Sequence, residues 1–462
     1  MVKKTIKMGP RTIVILLFVA AIASHLGYAN GHNVMGPGQE GFTHGANKVN
    51  SLYTKQNHVI KVNEVPVTRT ITTTVNDIGD LTYPVVDTNQ NLAFSTRGQS
   101  IDPLPFQSSY GQDANYLGYQ PNYTDNGDGT ITDEVTGLMW SKSPGEKVSY
   151  QEALKNADSL SLGGYSDWRL ATIKELYSLI DFSGIDPEIT STNKTSLEPF
   201  IDTEYFDFSY GDTETGERII DSQFISRTKY TSTTMFGNET VFGVNFADGR
   251  IKGYPVYDMK KGEDKKFYAL YVRGNTSYGQ NDYYDNGDGT ITDRASGLMW
   301  MKTDSGEGMD WETALTYANS SNYAGYDDWR LPNAKELQSI VDYSSSPHAT
   351  DFAAIDPIFN ISIIEDESSG VNYPFYWSST THISSTRGGL SAVYVAFGEA
   401  LGYMEDRKSG QIKLLDVHGA GAQRSDLKTG RAEMFPTGRG PQGDVVRIEN
   451  YVRLVRSVNV SE

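Results

Sequence analysis

The sequence predicts an α+β protein built from two tandem copies of one domain. Residues 125–140 read DNGDGTITDEVTGLMW and return at residues 285–300 as DNGDGTITDRASGLMW, with 13 of 16 positions identical. Each copy has predicted helices in its first half and predicted antiparallel strands at both ends, an order typical of α+β domains. A function common to both copies would have to use residues that both copies contain.

Each copy begins with a predicted hairpin, at residues 125–133 and 285–293. Its Asn-Gly and Asp-Gly pairs suit a tight turn, because Gly adopts positive φ at no steric cost. A strand ending in Gly-Leu-Met-Trp follows, and then a short helix, predicted over residues 150–160 and 311–319. Ser149 and Glu152 have capping-box spacing before the first of these helices, and Asp310 is the candidate N-cap of the second.

A second predicted helix follows the Asp-Trp-Arg-Leu segment of each copy. Thr172 with Glu175, and Asn333 with Glu336, have the spacing of an N-cap and the third helical residue. The two glutamates are therefore predicted to cap helices rather than to act as catalytic acids. The final strands, at residues 268–273 and 451–456, are expected to pair with the first strand of each copy and bring the domain ends together.

The N-terminus has the pattern of an export signal, predicted to end at residue 29. Four basic residues precede an apolar run at residues 13–23, which is too short to span a bilayer of about 30 Å. Residues 30–104 are expected to form a flexible leader and an N-terminal β segment, with strands from Val67 and over residues 83–88. This segment either packs against the first copy or forms a small β unit of its own. The predicted domains are then 105–274 and 275–462.

Composition excludes several function classes. The net charge of −18 argues against a nucleic-acid partner, because phosphate neutralisation needs clustered Lys and Arg. The chain contains no Cys, so disulfides, thiolate nucleophiles and Cys-ligated metals are excluded. The first copy also lacks His, so no catalytic mechanism common to both copies can use it. Beyond the export signal, no stretch is long and apolar enough to span a membrane.

The Asp-rich hairpins allow two interpretations. Their carboxylates are hard oxygen ligands of the kind that Ca²⁺ prefers, but the spacing does not fit an EF-hand loop. Alternatively, each Asp bonds to the backbone of its own turn. The calcium hypothesis concerns Asp125, Asp128, Asp133, Asp285, Asp288 and Asp293.

Four tryptophans recur at matched positions and are predicted to pack in the core, although a sugar-stacking groove is the alternative. They are Trp140, Trp168, Trp300 and Trp329. The neighbouring Arg169 and Arg330 are expected to hold carboxylates or carbonyls inside the fold.

The second copy contains a Gly/Arg-rich insertion at residues 418–443 that has no counterpart in the first. Between residues 413 and 456 there are eight Lys or Arg against five acids, a local excess of positive charge in an acidic chain. Polar, Gly-rich loops on a rigid scaffold are common binding surfaces, but such a loop can also be merely solvated. The binding hypothesis is a patch for anionic glycans or acidic polymers formed by Arg424, Lys428, Arg431 and Arg439.

The segments DNGDGTITD, GLMW, WRLP, KEL, YWSSTT and YVRLVR together resemble the Lcl C-terminal domain family over residues 105–462. The resemblance implies a C-type-lectin-like fold in each copy, export, and surface binding rather than catalysis. It also implies a distant similarity to formylglycine-generating enzymes, whose activity needs cysteines that this chain lacks. Neither copy has the Glu-Pro-Asn, Gln-Pro-Asp or Trp-Asn-Asp motifs of calcium-dependent sugar binding.

The function expected from these observations is an exported, non-enzymatic binding or adhesion protein. Its predicted ligand is a polysaccharide or a matrix or surface protein, and two copies on one chain would raise avidity for a repetitive ligand. The first alternative is an envelope or extracellular-matrix structural protein that self-associates, and the second is an enzyme that acts on polysaccharide. No cofactor is expected, and calcium is the one metal ion that the sequence leaves as an alternative.

Overall fold

The computed structural model describes residues 81–259, 261–406 and 409–458. The predicted signal peptide, the leader up to residue 80 and the strand expected from Val67 lie outside these residues. The described residues fall within one compact unit, Ile71–Glu462. None of the helices in this described part is long and apolar enough to cross a membrane.

The first repeat follows a short N-terminal pair of strands, β1 (Ala93–Phe94) and β2 (Ser100–Ile101). Its elements are β3 (Tyr123–Asp125), β4 (Thr130–Asp133), β5 (Leu138–Ser141), β6 (Val148–Ser149), α1 (Tyr150–Ser159), β7 (Arg169–Leu170), α2 (Ile173–Ser178), β8 (Gln223–Thr234), β9 (Asn238–Asn245), β10 (Arg250–Pro255), β11 (Tyr257–Asp258), β12 (Glu263–Asp264), β13 (Lys266–Phe267) and β14 (Tyr271–Gly274).

The second repeat follows the same plan with additional strands near its end. Its elements are β15 (Tyr283–Asp285), β16 (Thr290–Asp293), β17 (Leu298–Met301), α3 (Trp311–Asn319), α4 (Ala334–Ser339), α5 (Pro347–Thr350), β18 (Ile364–Glu365), β19 (Val371–Asn372), β20 (Phe375–Ser384), β21 (Gly388–Ala396), β22 (Leu401–Glu405), β23 (Ile412–Asp416), β24 (Gln423–Leu427) and β25 (Val455–Ser457). The α+β prediction is confirmed, with strands outnumbering helices.

Each repeat closes its hairpin sheet with its own last strand. The order is β3-β4-β5-β14-β7 in the first repeat and β15-β16-β17-β25 in the second. Val272 of β14 pairs with Trp140, and Val455 of β25 pairs with Trp300. The expected pairing of first and last strands is therefore wrong. The last strand of each repeat pairs instead with the Gly-Leu-Met-Trp strand, which is β5 or β17. The first strands, β3 and β15, lie at the outer edges of the two sheets.

The predicted helix starts are confirmed. The helices α1 and α3 begin at Tyr150 and Trp311, with Ser149 and Asp310 as N-caps that accept main-chain hydrogen bonds. Capping boxes also form where Thr172 and Asn333 precede α2 and α4. These side chains satisfy N–H groups that a helix leaves without internal partners.

The two capping glutamates also bind the arginines that precede their helices. Glu175 forms an ion pair with Arg169, and Glu336 forms one with Arg330. Arg169 additionally donates to the main-chain oxygen of Val272 on the closing strand. The expected structural role of both arginines is confirmed, since each ties a helix start to the hairpin sheet.

One six-stranded antiparallel sheet runs through both repeats, in the order β20-β21-β24-β10-β9-β8. The central contact pairs Ile251 of β10 with Gln423 of β24. In the second repeat β22 pairs with β23, and β24 occupies the place beside β21 that β10 has beside β9. Because β24 comes from the insertion, this segment is a central strand and not only a surface loop.

The helices α2 and α4 face each other across the repeat interface, and a lysine of each helix donates to a main-chain oxygen of the other. The Nζ atom of Lys174 lies 2.7 Å from the main-chain oxygen of Ser339 at the end of α4. The matched Lys335 lies 2.8 Å from the main-chain oxygen of Ser178 at the end of α2. Each lysine therefore binds at the C-terminal end of the other repeat's helix, where the helix dipole favours positive charge.

A hydrophobic core runs through both repeats and contains residues of β5, β9, β17 and β21. The four recurring tryptophans are all buried, with exposed fractions of 0% for Trp140 and Trp300, 4% for Trp168 and 2% for Trp329. The core prediction is confirmed, and the sugar-stacking groove is excluded because no indole face is open to solvent.

The described part of the N-terminal segment packs against both repeats, and it also contains the small two-stranded sheet of β1 and β2. The main-chain N–H of Tyr83 donates to Ala295 of the second repeat, at 2.9 Å, and that of Asp87 to Tyr119 of the first, at 2.7 Å. Within the predicted strand at 83–88 there is only one bridge, from Val86 to Tyr119. The segment is mostly buried between larger elements, and its main-chain N–H groups at Tyr83 and Asp87 are satisfied by those elements rather than by a strand ladder.

Candidate functional site

The six hairpin carboxylates proposed as calcium ligands bond to their own turns. Each accepts the main-chain N–H two residues further along, an arrangement that stabilises tight turns. Asp125 and Asp285 also form ion pairs with Lys142 and Lys302. No group of three or more His or acidic residues in the described ranges could hold a metal ion. Each of the six carboxylates therefore stabilises its own turn, as the structural interpretation predicts.

The four basic residues of the insertion do not share one exposed surface. Arg431 is exposed and Arg439 is half-buried, whereas Arg424 is 8% exposed and Lys428 is fully buried. The expectation of a single exposed patch is therefore wrong. Its physical reason is that β24 and the residue after it are enclosed in the shared sheet, which a count of charges along the chain does not reveal.

Lys428 is held inside the fold by neutral oxygen atoms. Its Nζ atom donates to the main-chain oxygen of Phe94 at 3.1 Å and to the hydroxyl of Thr381 at 2.8 Å. The ammonium also lies 4.0 Å from the centroid of the Trp311 ring. Burial lowers the pKa of Lys428 well below its ordinary value. This residue has a structural role and cannot contact a ligand at the surface.

Arg424 and Arg439, in contrast, line one cavity of about 340 Å³ at the junction of the two repeats. We call it the inter-repeat cavity. The first repeat contributes residues of β10 and the second contributes residues of β20, β21 and β24. Arg250, Lys252 and Tyr254 alternate along β10, so all three side chains point to the same face of the sheet and into the cavity.

The wall from the first repeat is a network of buried ion pairs. Arg250 lies 2.7 Å from a carboxylate oxygen of Asp186 and 3.5 Å from one of Asp248, and Lys252 lies 2.6 Å from Asp248. Burial would raise the pKa of Asp248, but the charges of Lys252 and Arg250 keep it lowered. Burial lowers the pKa of Lys252 to about 8, with Asp248 opposing part of that shift.

The wall from the second repeat is organised around Asp444. Arg424 forms an ion pair with one carboxylate oxygen of Asp444, and His418 Nε2 lies 2.8 Å from the other. Burial would raise the pKa of Asp444, but Arg424 and His418 hold it well below its usual range. Two main-chain hydrogen bonds, of 2.8 and 2.6 Å, fix Arg439 beside Asp444. The insertion thus places both arginines on the cavity wall.

The two histidines near the cavity are neutral at physiological pH. Burial, followed by the nearby Arg250, lowers the pKa of His382 to about 4. Burial and the adjacent Arg424 lower the pKa of His418 to about 4. His382 Nε2 is 2.9 Å from the main-chain oxygen of Asp248. Both rings therefore serve as fixed hydrogen-bonding groups, and neither adds charge to the site.

Several polar atoms of the cavity walls are left without partners. Arg424 Nε and Nη1, Arg250 Nε, the Tyr254 hydroxyl and Asp248 Oδ1 are buried and find no hydrogen-bond partner among the described residues. Buried polar groups are nearly always paired, so such a concentration is unusual. Three of the five atoms are N–H donors on positively charged side chains, which is the chemistry that binds an anion.

The cavity is also locally positive in an acidic chain. Its charged lining consists of six cations, Arg218, Arg250, Lys252, Arg387, Arg424 and Arg439, and four acids, Asp186, Glu188, Asp248 and Asp444. The whole chain has a net charge of −18. Arg387 and Arg439 form no ion pair with any residue that the structure describes. Their charges are therefore available to a ligand at the rim.

Sequence reasoning missed most of this site because it searched for residues present in both copies. The cavity is lined by residues of both repeats, but the residues of one wall are not at positions equivalent to those of the other wall. One signal was available: the alternation of Arg250, Lys252 and Tyr254 indicates a strand with a charged, aromatic face. Nothing in the sequence indicates that this face lies opposite Asp444.

The fold and this site define a duplicated α+β protein with a charged cavity between its repeats. The chain belongs to the Lcl C-terminal domain family, whose model matches residues 129–273 and 289–415, more than half of the sequence. Both matches end before β24, so the part of the insertion that carries Arg424 and Arg439 lies beyond them. No curated protein matches the chain.

Proposed function

We propose that the protein is an exported, non-enzymatic binding or adhesion protein whose inter-repeat cavity takes the anionic group of an acidic polysaccharide or matrix component. The observation that carries the proposal is the set of donors on Arg424 and Arg250 that have no hydrogen-bond partner in the described part of the chain. Charge-assisted hydrogen bonds from arginine to carboxylate or sulfate groups are among the stronger polar contacts in proteins. Exposed Arg387 and half-buried Arg439 extend the positive surface outwards from these donors.

The size of the cavity agrees with this proposal. Its volume of about 340 Å³ is at the lower end of the range of ligand pockets, roughly 300–1,000 Å³. Tyr254 and Tyr394 line it and provide aromatic surface beside the charged groups. Such a site would hold a short part of a polymer, with the remainder of the ligand lying on the surface outside.

Export and a C-type-lectin-like fold in each repeat are parts of the same proposal. The predicted signal at residues 1–29 supports a location in the periplasm, at the cell surface or outside the cell. The fold assignment is supported by the matched helices α1 with α3 and α2 with α4, and by a last strand that returns to the hairpin sheet in each repeat.

Self-association in an envelope or matrix is a second candidate function. Its supporting observation is exposed apolar surface near the β18–β19 hairpin, where Ile363 and Val371 are 67% and 76% exposed. Contacts between copies through such residues would give assembly that depends on concentration. Sedimentation of the mature chain over a range of concentrations, without glycan, would detect it.

Binding of acidic oligosaccharides to residues 30–462 tests the main proposal. Oligouronates and sulfated oligosaccharides are compared with neutral oligosaccharides by calorimetry, at low and high salt. We expect binding of the acidic ligands only, with weaker binding at high salt because screening reduces the attraction between charges. Release of shortened products during incubation would instead indicate an enzyme.

A pair of variants connects the binding to the cavity. Arg439→Ala removes a cation from the lining and is expected to weaken binding by about tenfold, since hydrogen bonds to charged groups contribute roughly 1.5–3 kcal/mol. Arg431→Ala removes the same charge from the same insertion at an exposed position outside the lining. Equal effects of the two variants would contradict the proposal.

A further inference from the structure

A lysine, an amide and a carboxylate lie in a row at the interface of the two repeats, away from the inter-repeat cavity. The Nζ atom of Lys174, on α2 of the first repeat, is 2.8 Å from Oδ1 of Asn281 at the start of the second. The Nδ2 atom of Asn281 donates to Oδ2 of Asp293 at 2.8 Å. The three side chains therefore form one continuous hydrogen-bonded chain.

The orientation of the Asn281 amide is fixed by its two neighbours. An ammonium only donates hydrogen bonds and a carboxylate only accepts them, so the amide oxygen faces Lys174 and the nitrogen faces Asp293. Asp293 is fully buried and is held by the main-chain N–H groups of Asp282 and Ala295 and by the hydroxyl of Ser296. The carboxylate is therefore a fixed group beside the amide nitrogen.

The amine is close to the carbonyl carbon and lies against aromatic rings. The carbonyl bond is only ~1.2 Å long, so an amine at hydrogen-bond distance from Oδ1 is within about 4 Å of Cγ. The ammonium is 5.6 Å from the centroid of the Tyr83 ring, which packs edge-on against Tyr278. Burial lowers the pKa of Lys174 to about 8, opposed in part by Asp293 and Asp342. A neutral, nucleophilic amine is therefore more populated than for an exposed lysine.

We propose that Lys174 and Asn281 condense into an intramolecular isopeptide bond that joins the two repeats covalently. The neutral Nζ attacks Cγ of Asn281, a bond forms between Nζ and Cγ, and the bond from Cγ to Nδ2 breaks. The proton lost by Nζ passes to Nδ2, which Asp293 holds in place through its hydrogen bond, and ammonia leaves. The product is a secondary amide, with no change in oxidation state and no co-reactant.

The equivalent lysine of the second repeat provides an internal comparison. Lys335 occupies the same helix position as Lys174 and is 3% exposed. Its ammonium donates to the main-chain oxygens of Asp87 and Ser178, each at 2.8 Å, and to no side-chain amide in the described ranges. Main-chain carbonyls offer no leaving group that can depart without cutting the chain. Lys335 therefore lacks a reaction partner.

The first repeat also lacks the amide itself. Equivalent main-chain hydrogen bonds set the same register in both hairpins, which places Pro121 where the second repeat has Asn281. Asp133, the counterpart of Asp293, has an Oδ2 atom without a hydrogen-bond partner among the described residues. The proposal therefore assigns one cross-link to the chain rather than two.

Such a bond would give a chain without Cys the kind of constraint that disulfides give other exported proteins. It would close a loop between positions that are 107 residues apart. A cross-link of this kind restricts the unfolded chain and resists mechanical extension between the repeats. This consequence does not depend on the ligand of the inter-repeat cavity.

Intact-mass measurement of the mature full chain tests the proposal directly. We expect a mass about 17 Da below that of the sequence, which corresponds to the loss of one ammonia. Trypsin should fail to cleave after Lys174 and should release a branched peptide that contains residues 174 and 281. A chain whose mass equals that of the sequence, when fresh and after prolonged incubation at mildly alkaline pH, would overturn the proposal.

Matched variants then assign the reaction to these residues. Asn281→Ala, Lys174→Arg and Asp293→Asn should each restore the full mass, whereas Lys335→Arg should keep the loss. Asp133→Asn is the matched control for Asp293→Asn, because the two residues occupy the same hairpin position. Mass loss that persists in Asn281→Ala would place the modification elsewhere and refute the assignment. Circular dichroism of each variant checks that it folds.

Discussion

The ammonium of Lys335 lies 2.8 Å from the main-chain oxygen of Ser178, in the other repeat. The reverse contact, from Lys174 to Ser339, has nearly the same length. The two lysines thus hold the C-terminal ends of two facing helices by equivalent bonds. Burying an ammonium is costly unless it is fully hydrogen-bonded, and the helix ends supply the required oxygens. The repeats are therefore joined by a nearly symmetric pair of polar contacts.

Lys335→Met is expected to reduce the dependence of stability on alkaline pH. Burial lowers the pKa of Lys335 to about 8, from an ordinary value of 10.5. Between these values the unfolded chain holds a proton that the folded chain has released, so stability increases with pH. The contribution is complete above pH 10.5 and is lost as pH falls through 8. It amounts to at most about 3 kcal/mol.

Urea unfolding of the native protein and of Lys335→Met, at a series of alkaline pH values, measures this effect. The native protein should gain stability relative to the variant across the window. Parallel stability curves for the two proteins would show that Lys335 does not titrate in this range.

His382→Phe is expected to reduce the acid sensitivity of the fold. Burial lowers the pKa of His382 from 6.5 to about 4, so the unfolded chain takes up a proton before the folded chain does. The stability contributed by the neutral ring is complete above pH 6.5 and is lost as pH falls through 4. Phe preserves the stacking of residue 382 on Phe200 but cannot be protonated.

Thermal unfolding at mildly acidic pH tests this prediction against a measurement at neutral pH. The native protein should lose up to about 3 kcal/mol more than the variant over the acid window. The same acid-induced loss in both proteins would assign the sensitivity to other groups.

Neither repeat is expected to fold stably alone. Without β24, β10 becomes an unpaired edge of the central sheet, and Lys174 loses both of its oxygen partners. Exposed edge strands promote aggregation. We expect residues 81–274 to be insoluble or aggregated when expressed alone, and co-expression with residues 275–462 to restore solubility. A monomeric, cooperatively unfolding fragment would contradict this expectation.

Calcium is not expected to stabilise the hairpins. Asp125 and Asp285 would have to give up ion pairs with Lys142 and Lys302 to bind a cation. We expect an unchanged melting temperature after chelation and after the return of millimolar Ca²⁺. A calcium-dependent increase that disappears in Asp128→Ala would restore the metal interpretation of these turns.

Local structure was predictable because its causes lie within a few residues. The spacing of Thr172 with Glu175, and of Asn333 with Glu336, identified both helix starts. The Asn-Gly and Asp-Gly pairs located the turns, and the recurring tryptophans identified core positions. Each of these signals depends on neighbours along the chain.

The arrangement of the repeats was not predictable in the same way. Lys428 and Arg431 are close in sequence and similar in charge, yet one is fully buried and the other is exposed. Their difference arises from β24, which ends at Leu427 and lies against a strand of the other repeat. Pairing between distant strands is set by the packing of the whole chain, and neither periodicity nor local charge reports it.

The position of β24 has a consequence for how this protein can diverge. The same short stretch carries Arg424 of the proposed binding site and pairs the second repeat with the first. A substitution in β24 that alters selectivity for a ligand also alters the stability of the interface between the repeats. Ligand selectivity and the rigidity of the repeat interface therefore depend on the same residues. A substitution that improves one of these properties persists only if the other is preserved.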